Sequence, residues 1–207
     1  MSSQEGIEHW VAALRSDNDP RVRARAVEAL ASSRDARVIE PLVQALHDKH
    51  WDVRRRAAWA LGHLGEPAVE PLMRALQDWQ WDVRRKVAWA LGNLRDRRAV
   101  EPLIRAVQDE RADVREQAAW ALGHLQDLRA VEPLSAALLD DYAPVWHEAA
   151  RALATIAALH EAQVQSALQA YASNLTSSAL QLFVRRMHFY EQELQKLQHR
   201  LGEPGEL

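Results

Sequence analysis

Cysteine is absent from the 207 residues, which excludes disulfides, thiolate-held zinc, cysteine-ligated iron–sulfur clusters and cysteine nucleophiles together. A reducing compartment suits such a chain. Glycine and proline are scarce, at seven and eight residues, which leaves little material for the turns of an all-β sandwich or barrel. A mostly helical chain is implied. No run approaches 18 consecutive apolar residues, and the opening MSSQEGIEHW has neither a basic nor an apolar signal region. Neither a membrane span nor an export signal is therefore expected, and a cytoplasmic location is. Charge of one sign is lacking too. The net charge of −3 removes the global basic footprint of a dedicated nucleic-acid binder.

What the chain does have is a skewed inventory. Residues of the hydrophobic class make up 48% and charged residues 27%, enough to bury a core rather than stay disordered. Arginine supplies 23 of the 26 basic residues, and eight tryptophans stand against two phenylalanines. Both favoured types are enriched at binding surfaces.

The sequence repeats. The segments PRVRARAVEALAS, WDVRRRAAWALGHL, WDVRRKVAWALGNL, ADVREQAAWALGHL and APVWHEAARALATI place equivalent valines at Val22, Val53, Val83, Val114 and Val145. Between them RVIEPLVQAL, AVEPLMRAL, AVEPLIRAV and AVEPLSAAL place prolines at Pro41, Pro71, Pro102 and Pro133. Apolar residues in both segments recur at spacings of three and four, as in Val53, Ala57, Ala60, Leu61 and Leu64, or Val69, Leu72, Met73 and Leu76. This is the period of an amphipathic helix. Each unit thus holds a helix A, with proline in its opening turn, and a helix B. Asp52, Asp82 and Asp113 are expected to cap helix B, with Glu116 completing a capping-box pattern. Gly62, Gly92 and Gly123 are expected to admit a neighbouring backbone.

Two short helices cannot bury their apolar faces alone, but stacked neighbours can. The strings DVRRRAAWALGHLG and AVEPLIRAVQD resemble the phycobilisome-lyase-type HEAT-like repeat family over roughly residues 20 to 158. The resemblance implies an all-α, right-handed α-solenoid of about five two-helix repeats of about 31 residues each. It also implies that the B helices line a concave surface. Family members include scaffolds, bilin lyase subunits and iron-dependent deoxyhypusine hydroxylases, so membership alone does not name an activity.

The expected organisation is a repeat array over 5–160, a helical cap or dimerisation segment over 161–201 and a tail over 202–207. Residues 5 to 17 read as an N-terminal capping helix with Ile7, Trp10, Val11 and Leu14 inward. Leu180, Phe183, Met187, Tyr190, Leu194, Leu197 and Leu201 alternate at spacings of three and four, a heptad seam that requires a partner helix. That partner is either the last repeat of the same chain or a second copy in a homodimer.

On helix B, the side away from the core carries Arg55, Arg56, Trp59 and His63 in the second repeat and Arg85, Lys86, Trp89 and Asn93 in the third. The fourth offers Glu116, Gln117, Trp120 and His124, and the fifth His147, Glu148, Arg151 and Thr155. The three tryptophans share one register position. They either stack on neighbouring arginines as structural aromatics or line a binding groove, with Trp51, Trp79 and Trp81 along its edge. The cations of the second and third repeats point to a partner that is acidic toward the N-terminal half. Arg54, Arg84 and Arg115 are expected to bond the loops between repeats.

Chemistry of other kinds finds little support. His147 and Glu148 resemble a His-Glu iron pair of the deoxyhypusine hydroxylases, but the equivalent positions are Arg55 with Arg56, Arg85 with Lys86 and Glu116 with Gln117, and cations repel iron. His47 and His50 lack a third ligand. No metal, no cofactor and no catalytic residue is assigned. The leading expectation is a non-enzymatic adaptor that binds a protein or peptide. A bilin lyase or chromophore-handling subunit comes second, since arginine pairs propionates and indoles sandwich rings. A DNA-binding helical repeat protein comes third, disfavoured by the net negative charge.

Overall fold

The computed structural model describes residues 3–33 and 35–202. The tail from 203 onward and the side chain of Leu201 lie outside the described residues. All regular structure among the described residues is helical. The α-helices are α1 (Ser3–Ser16), α2 (Pro20–Ser32), α3 (Ile39–Ala45), α4 (Trp51–Leu61), α5 (Val69–Ala75) and α6 (Trp81–Leu94), followed by α7 (Val100–Ala106), α8 (Ala112–Leu125), α9 (Val131–Ala137), α10 (Ala143–Ser173) and α11 (Ser177–Gly202). Each of α3, α5, α7 and α9 is a helix A, entered through a single 3-10 turn. Their prolines fall in the first α-helical turn, where a missing N–H costs least.

The helices gather into two units, Met1–Ala99 and Val100–Leu207. In the first, α1 packs on α2, α2 on α4, and α4 on both α3 and α6. The core is the expected stripe: Val53, Ala57, Ala60 and Leu61 of α4 are buried together with Leu42, Val69, Leu72, Val83, Val87 and Leu91. Alanine is frequent here because neighbouring helices approach closely. A Cβ added at Gly62 would stand 3.3 Å from Ala90 Cα.

In the second unit α10 packs on α8, α9 and α11. The approach is closer still: a Cβ at Gly123 would lie 2.9 Å from Ala152 Cα and 3.0 Å from its Cβ. Helix α10 is bent at His160, whose φ of −139° and ψ of 43° are not helical. Along its first half, Phe189 of α11 meets Trp146 and His147 at ring separations of 5.9 and 4.8 Å, and Glu193 reaches toward Arg151 at 3.9 Å. Numbers rise together, so α11 runs parallel to that half. Against the second half the order reverses, with Phe183 beside Tyr171 and Gln198 beside Glu161. Residues 161–173 and α11 therefore form a hairpin with the A–B arrangement of the repeats, although the repeat motif ends before it. The heptad seam faces its own chain: Phe183, Tyr190 and Leu194 are buried, Met187 and Leu197 half-buried, and Leu180 exposed at the edge.

The turns between helices A and B carry the polar framework. Arg23 Nε and Nη2 bond both oxygens of Asp48 at 2.6 and 2.8 Å, while its Nη1 donates to the carbonyls of Asp17 and Asn18. Arg54 bonds Asp82 and the carbonyls of Asp48 and Lys49. Arg84 donates to the carbonyls of Asp78 and Trp79. In the second unit, Arg115 bonds Asp140 and the carbonyls of Asp109 and Glu110. The turn aspartates also accept a backbone N–H two residues ahead, as Asp48 does from His50, Asp78 from Gln80, Asp109 from Arg111 and Asp140 from Tyr142. These aspartates recur at 17, 48, 78, 109 and 140, five residues before each repeat valine.

The expected caps are corrected. Asp52, Asp82 and Asp113 lie one residue inside their helices, which start at Trp51, Trp81 and Ala112. His50 caps α4 through Nδ1, and the N-caps Gln80 and Arg111 make no capping bond with their side chains. Asp52 and Asp82 are turned to other work because side-chain cations one turn later attract them.

Burial raises the Asp48 and Asp140 carboxyls, but the hydrogen bonds from Arg23 and Arg115, the backbone N–H groups of His50 and Tyr142 and the nearby positive charges together outweigh it and hold both below the usual carboxylate range. Their contribution is therefore full above the unfolded pKa of about 3.9 and is lost as pH falls through the lower folded value. Urea midpoints should fall steeply below about pH 4, and the fall should be shallower in Asp48→Ala. At neutral pH that variant strands the Arg23 guanidinium, whose side chain is 4% exposed, and should lose about 3 kcal/mol. Gly123→Ala should cost about 1–3 kcal/mol in the same assay because backbone, not a flexible side chain, occupies the space.

Candidate functional site

The outward face of α4 and α6 places the expected residues of the second and third repeats together within the first unit. Trp59 stacks on His63 with ring centroids 4.4 Å apart at 30°. His63 in turn lies 6.5 Å from Trp89, and a Cβ at Gly62 would touch Trp89 Cζ3 at 3.4 Å. The ladder thus runs Trp89, His63, Trp59. One turn of helix sets the Trp59–His63 pair, because residues four apart share a face. His63 Nδ1 lies 2.7 Å from the Trp59 carbonyl, and a carbonyl only accepts, so Nδ1 carries the proton and Nε2 of the neutral ring is an acceptor. Asn93 Nδ2 makes the same bond to the Trp89 carbonyl at 2.9 Å.

Trp59 closes one side of an open cleft of about 700 Å³ between α2 and α4. Its floor is Val27, Ala31, Ala60 and Leu64, and its rim Glu28, Ser32, Arg55, Arg56 and His63. Trp59 is 56% exposed, whereas Trp89 is half-buried. Two further indoles of the first unit are exposed outside the cleft. Trp51 stacks near His50 at 6.0 Å and lies under the Arg55 guanidinium at 5.7 Å, and Trp79 is 82% exposed. Trp51 and Trp81 open helices rather than sit in turns.

The basic stripe expected on this face is not free. Arg55 and Arg56 pair with Asp52, one turn earlier, and Arg56 also with Glu28. Arg85 and Lys86 pair with Asp82, which Arg54 also reaches. Burial lowers the Lys86 ammonium despite its bond to Asp82. Each of these cations thus has a carboxylate partner, with Asp82 shared among Arg54, Arg85 and Lys86, and beside the paired charges the indole of Trp59 stands open. Of the two alternatives for the ladder, stacking on arginines is not what Trp59 and Trp120 do: both stack on histidines, which stand four residues on.

In the second unit Trp120 stacks on His124 at 3.9 Å, with His124 Nδ1 on the Trp120 carbonyl. Glu116 and Gln117 stand on the same helix, the first exposed and the second half-buried. His147 stacks on Trp146 at 3.7 Å, and Arg186 of α11 covers the Trp146 ring at 4.9 Å while bonding the carbonyls of Leu138 and Asp140. Glu148 bonds Arg151 at 3.3 Å. Desolvation, aided by Glu116 and Glu193, raises its carboxyl. His147, Glu148 and Arg151 thus stand against α11. Among the described residues no group of three or more His, Cys, Asp or Glu could hold a metal ion.

Sequence reasoning passed over the turn aspartates, although their recurrence in the repeat register was visible. It also passed over Trp146, Arg186 and Phe189. Their contacts span 40 to 43 positions, outside the repeat period, so no periodic signal marks them.

Helical hairpins stacked through their B helices define an α-solenoid repeat protein. A family model described as HEAT repeats matches residues 7–79 and 69–154; the chain belongs to the HEAT repeat family. It is similar to a designed armadillo repeat protein in complex with the peptide (KR)4, at 21% identity and TM-score 0.57, covering 91% of this chain and 99% of that one. It is likewise similar to the complex of CpcE and CpcF of phycocyanin lyase from Nostoc sp. PCC7120, at 21% identity and TM-score 0.56, covering 91% and 94%. An engineered protein of 23% identity and TM-score 0.55 covers 92% and 98%. No curated protein sequence matches significantly. Among the described residues no helix is long and apolar enough to cross a membrane.

Replacing Trp59 by alanine should change stability by less than about 1 kcal/mol, since the ring is largely exposed, while Trp89→Ala should cost about 2 kcal/mol or more. Thermal melts of the two variants beside wild type check the difference.

Proposed function

We propose that the chain is a non-enzymatic adaptor that holds a segment of a protein partner along the outward face of its B helices. The carrying observation is the exposed Trp59 indole over a cleft large enough for ligand side chains. Exposed aromatics that nothing covers are the usual anchors of binding surfaces. The designed armadillo protein of similar fold is a peptide complex, which favours the same use of the face here. Arg55, with its side chain 61% exposed, extends the contact surface in this reading. An acidic preference of the partner would rest on Arg55, the most exposed of these cations, which is itself paired with Asp52. The hairpin of residues 161–173 and α11 serves as the end cap, its seam satisfied within the chain.

Tetrapyrrole handling is the second reading, favoured by the likeness to the CpcE–CpcF complex and by indoles that could sandwich a ring. Co-purified visible absorbance would support it. A nucleic-acid partner would need unpaired cations to track phosphates, and this face supplies few.

The test is selection of a displayed random dodecapeptide library on the intact protein. Enriched peptides should bind Trp59→Ala and Trp89→Ala at least about tenfold more weakly, with helical circular dichroism unchanged. Equal affinity for all three proteins would move the site off this face.

A further inference from the structure

The ladder on the first unit is one rung short. Each rung position can be compared between repeats by register: Trp59, Gly62 and His63 of α4 correspond to Glu28, Ala31 and Ser32 of α2. Trp89 leans over Gly62 toward the His63 ring. Trp59, one repeat earlier, meets Ala31 and Ser32 across the cleft, and no other ring than Trp59 and His63 lines it. The missing imidazole and indole on α2 account for the open volume and for the exposure of Trp59.

We infer that a partner peptide supplies the missing rung, by inserting an aromatic side chain, tyrosine or tryptophan, that stacks on Trp59 above Ala31. The inference rests on the peptide-binding reading above and names the anchor residue of that partner. Two observations select a neutral ring over a charged side chain. The floor is apolar, built from Val27, Ala31, Ala60 and Leu64. The rim charges are already balanced, with Glu28 on Arg56 and both Arg55 and Arg56 on Asp52, so an incoming acid or base would have to displace an existing pair. A phenol or indole leaves those pairs intact and finds Ser32 and Glu28 at the rim for its O–H or N–H. Offset stacking on an indole adds to the buried area.

The experiment follows the Trp59 indole N–H and the Ser32 amide of the full chain by nuclear magnetic resonance. The probes are N-acetyltyrosinamide, N-acetylargininamide and N-acetylaspartamide, and Trp59→Leu assigns the indole signal. The tyrosine probe should shift both signals along a one-site curve, at least about tenfold tighter than the other two. The double variant Glu28→Trp, Ser32→His fills the rung from within and should abolish that response while its remaining amide spectrum stays native. Tighter or equal binding of the arginine or aspartate probe overturns the inference, as does an unchanged tyrosine response in a filled variant whose spectrum is native. So does a Trp59 signal unmoved up to the probe's solubility. If the filled variant does not fold, folded Trp59→Leu takes its place: loss of the Ser32 response supports the inference, and an unchanged response overturns it. Library peptides that lose affinity in Trp89→Ala but keep it in the filled variant would leave the peptide-binding reading standing and remove this one. A responsive tyrosine probe with no library peptide enriched would do the reverse.

Discussion

Arginine in the turn framework is the contact on which the repeats depend. Arg23, Arg54 and Arg115 each close the turn before their own helix through two carbonyls and grip an aspartate of the following repeat. A short hairpin offers little core of its own, so its position on the next hairpin must come from something directional. A planar guanidinium with five donors meets that need, as a lysine ammonium would not. Asp48 and Asp140 are held ready by a backbone N–H two residues ahead, so the acceptor is aimed before the arginine arrives. Such a pair has low freedom to slide, and within each unit the B helices consequently keep their register.

That register is what turns separated tryptophans into surface chemistry. Because Trp59 and Trp89 hold one position in successive repeats, His63 can bridge them, and the edge of the ladder becomes a defined cleft. The aspartates in the first turns of α4 and α6 matter equally. By pairing with Arg55, Arg56, Arg85 and Lys86 they offset part of the charge of an apparently basic stripe and leave the indole of Trp59 as its open apolar feature. A sum over residue charges would have missed this, since the same side chains look free when only one helix face is counted.

The C-terminal segment shows how a repeat array ends. The motif stops, yet the bend at His160 and the heptad seam of α11 rebuild a hairpin of the same arrangement. Trp146 and Arg186 fasten it to the preceding turn. Between its two helices Gln165, Gln169, Gln195 and Gln198 border a shallow cleft whose apolar lining is Leu168, Met187, Tyr190 and Leu194.

Local periodicity was enough to establish the helices, the repeat length, the buried stripe and the face on which the tryptophans stand, because each of these follows from spacings within about one repeat. The arginines of the framework, and the space needed at Gly62 and Gly123, were also legible as recurring residues, though only the structure assigns the partners. Tertiary packing alone decided the rest. Arg56 gains a second carboxylate, beside Asp52 of its own helix, only from Glu28 of another helix. Whether Trp59 is open depends on the small residues that α2 sets opposite it, and whether the α11 seam is satisfied depends on a bend in α10. These are contacts between elements whose separation in sequence has no period, so their energies are fixed by where the helices come to rest and not by the pattern along any one of them.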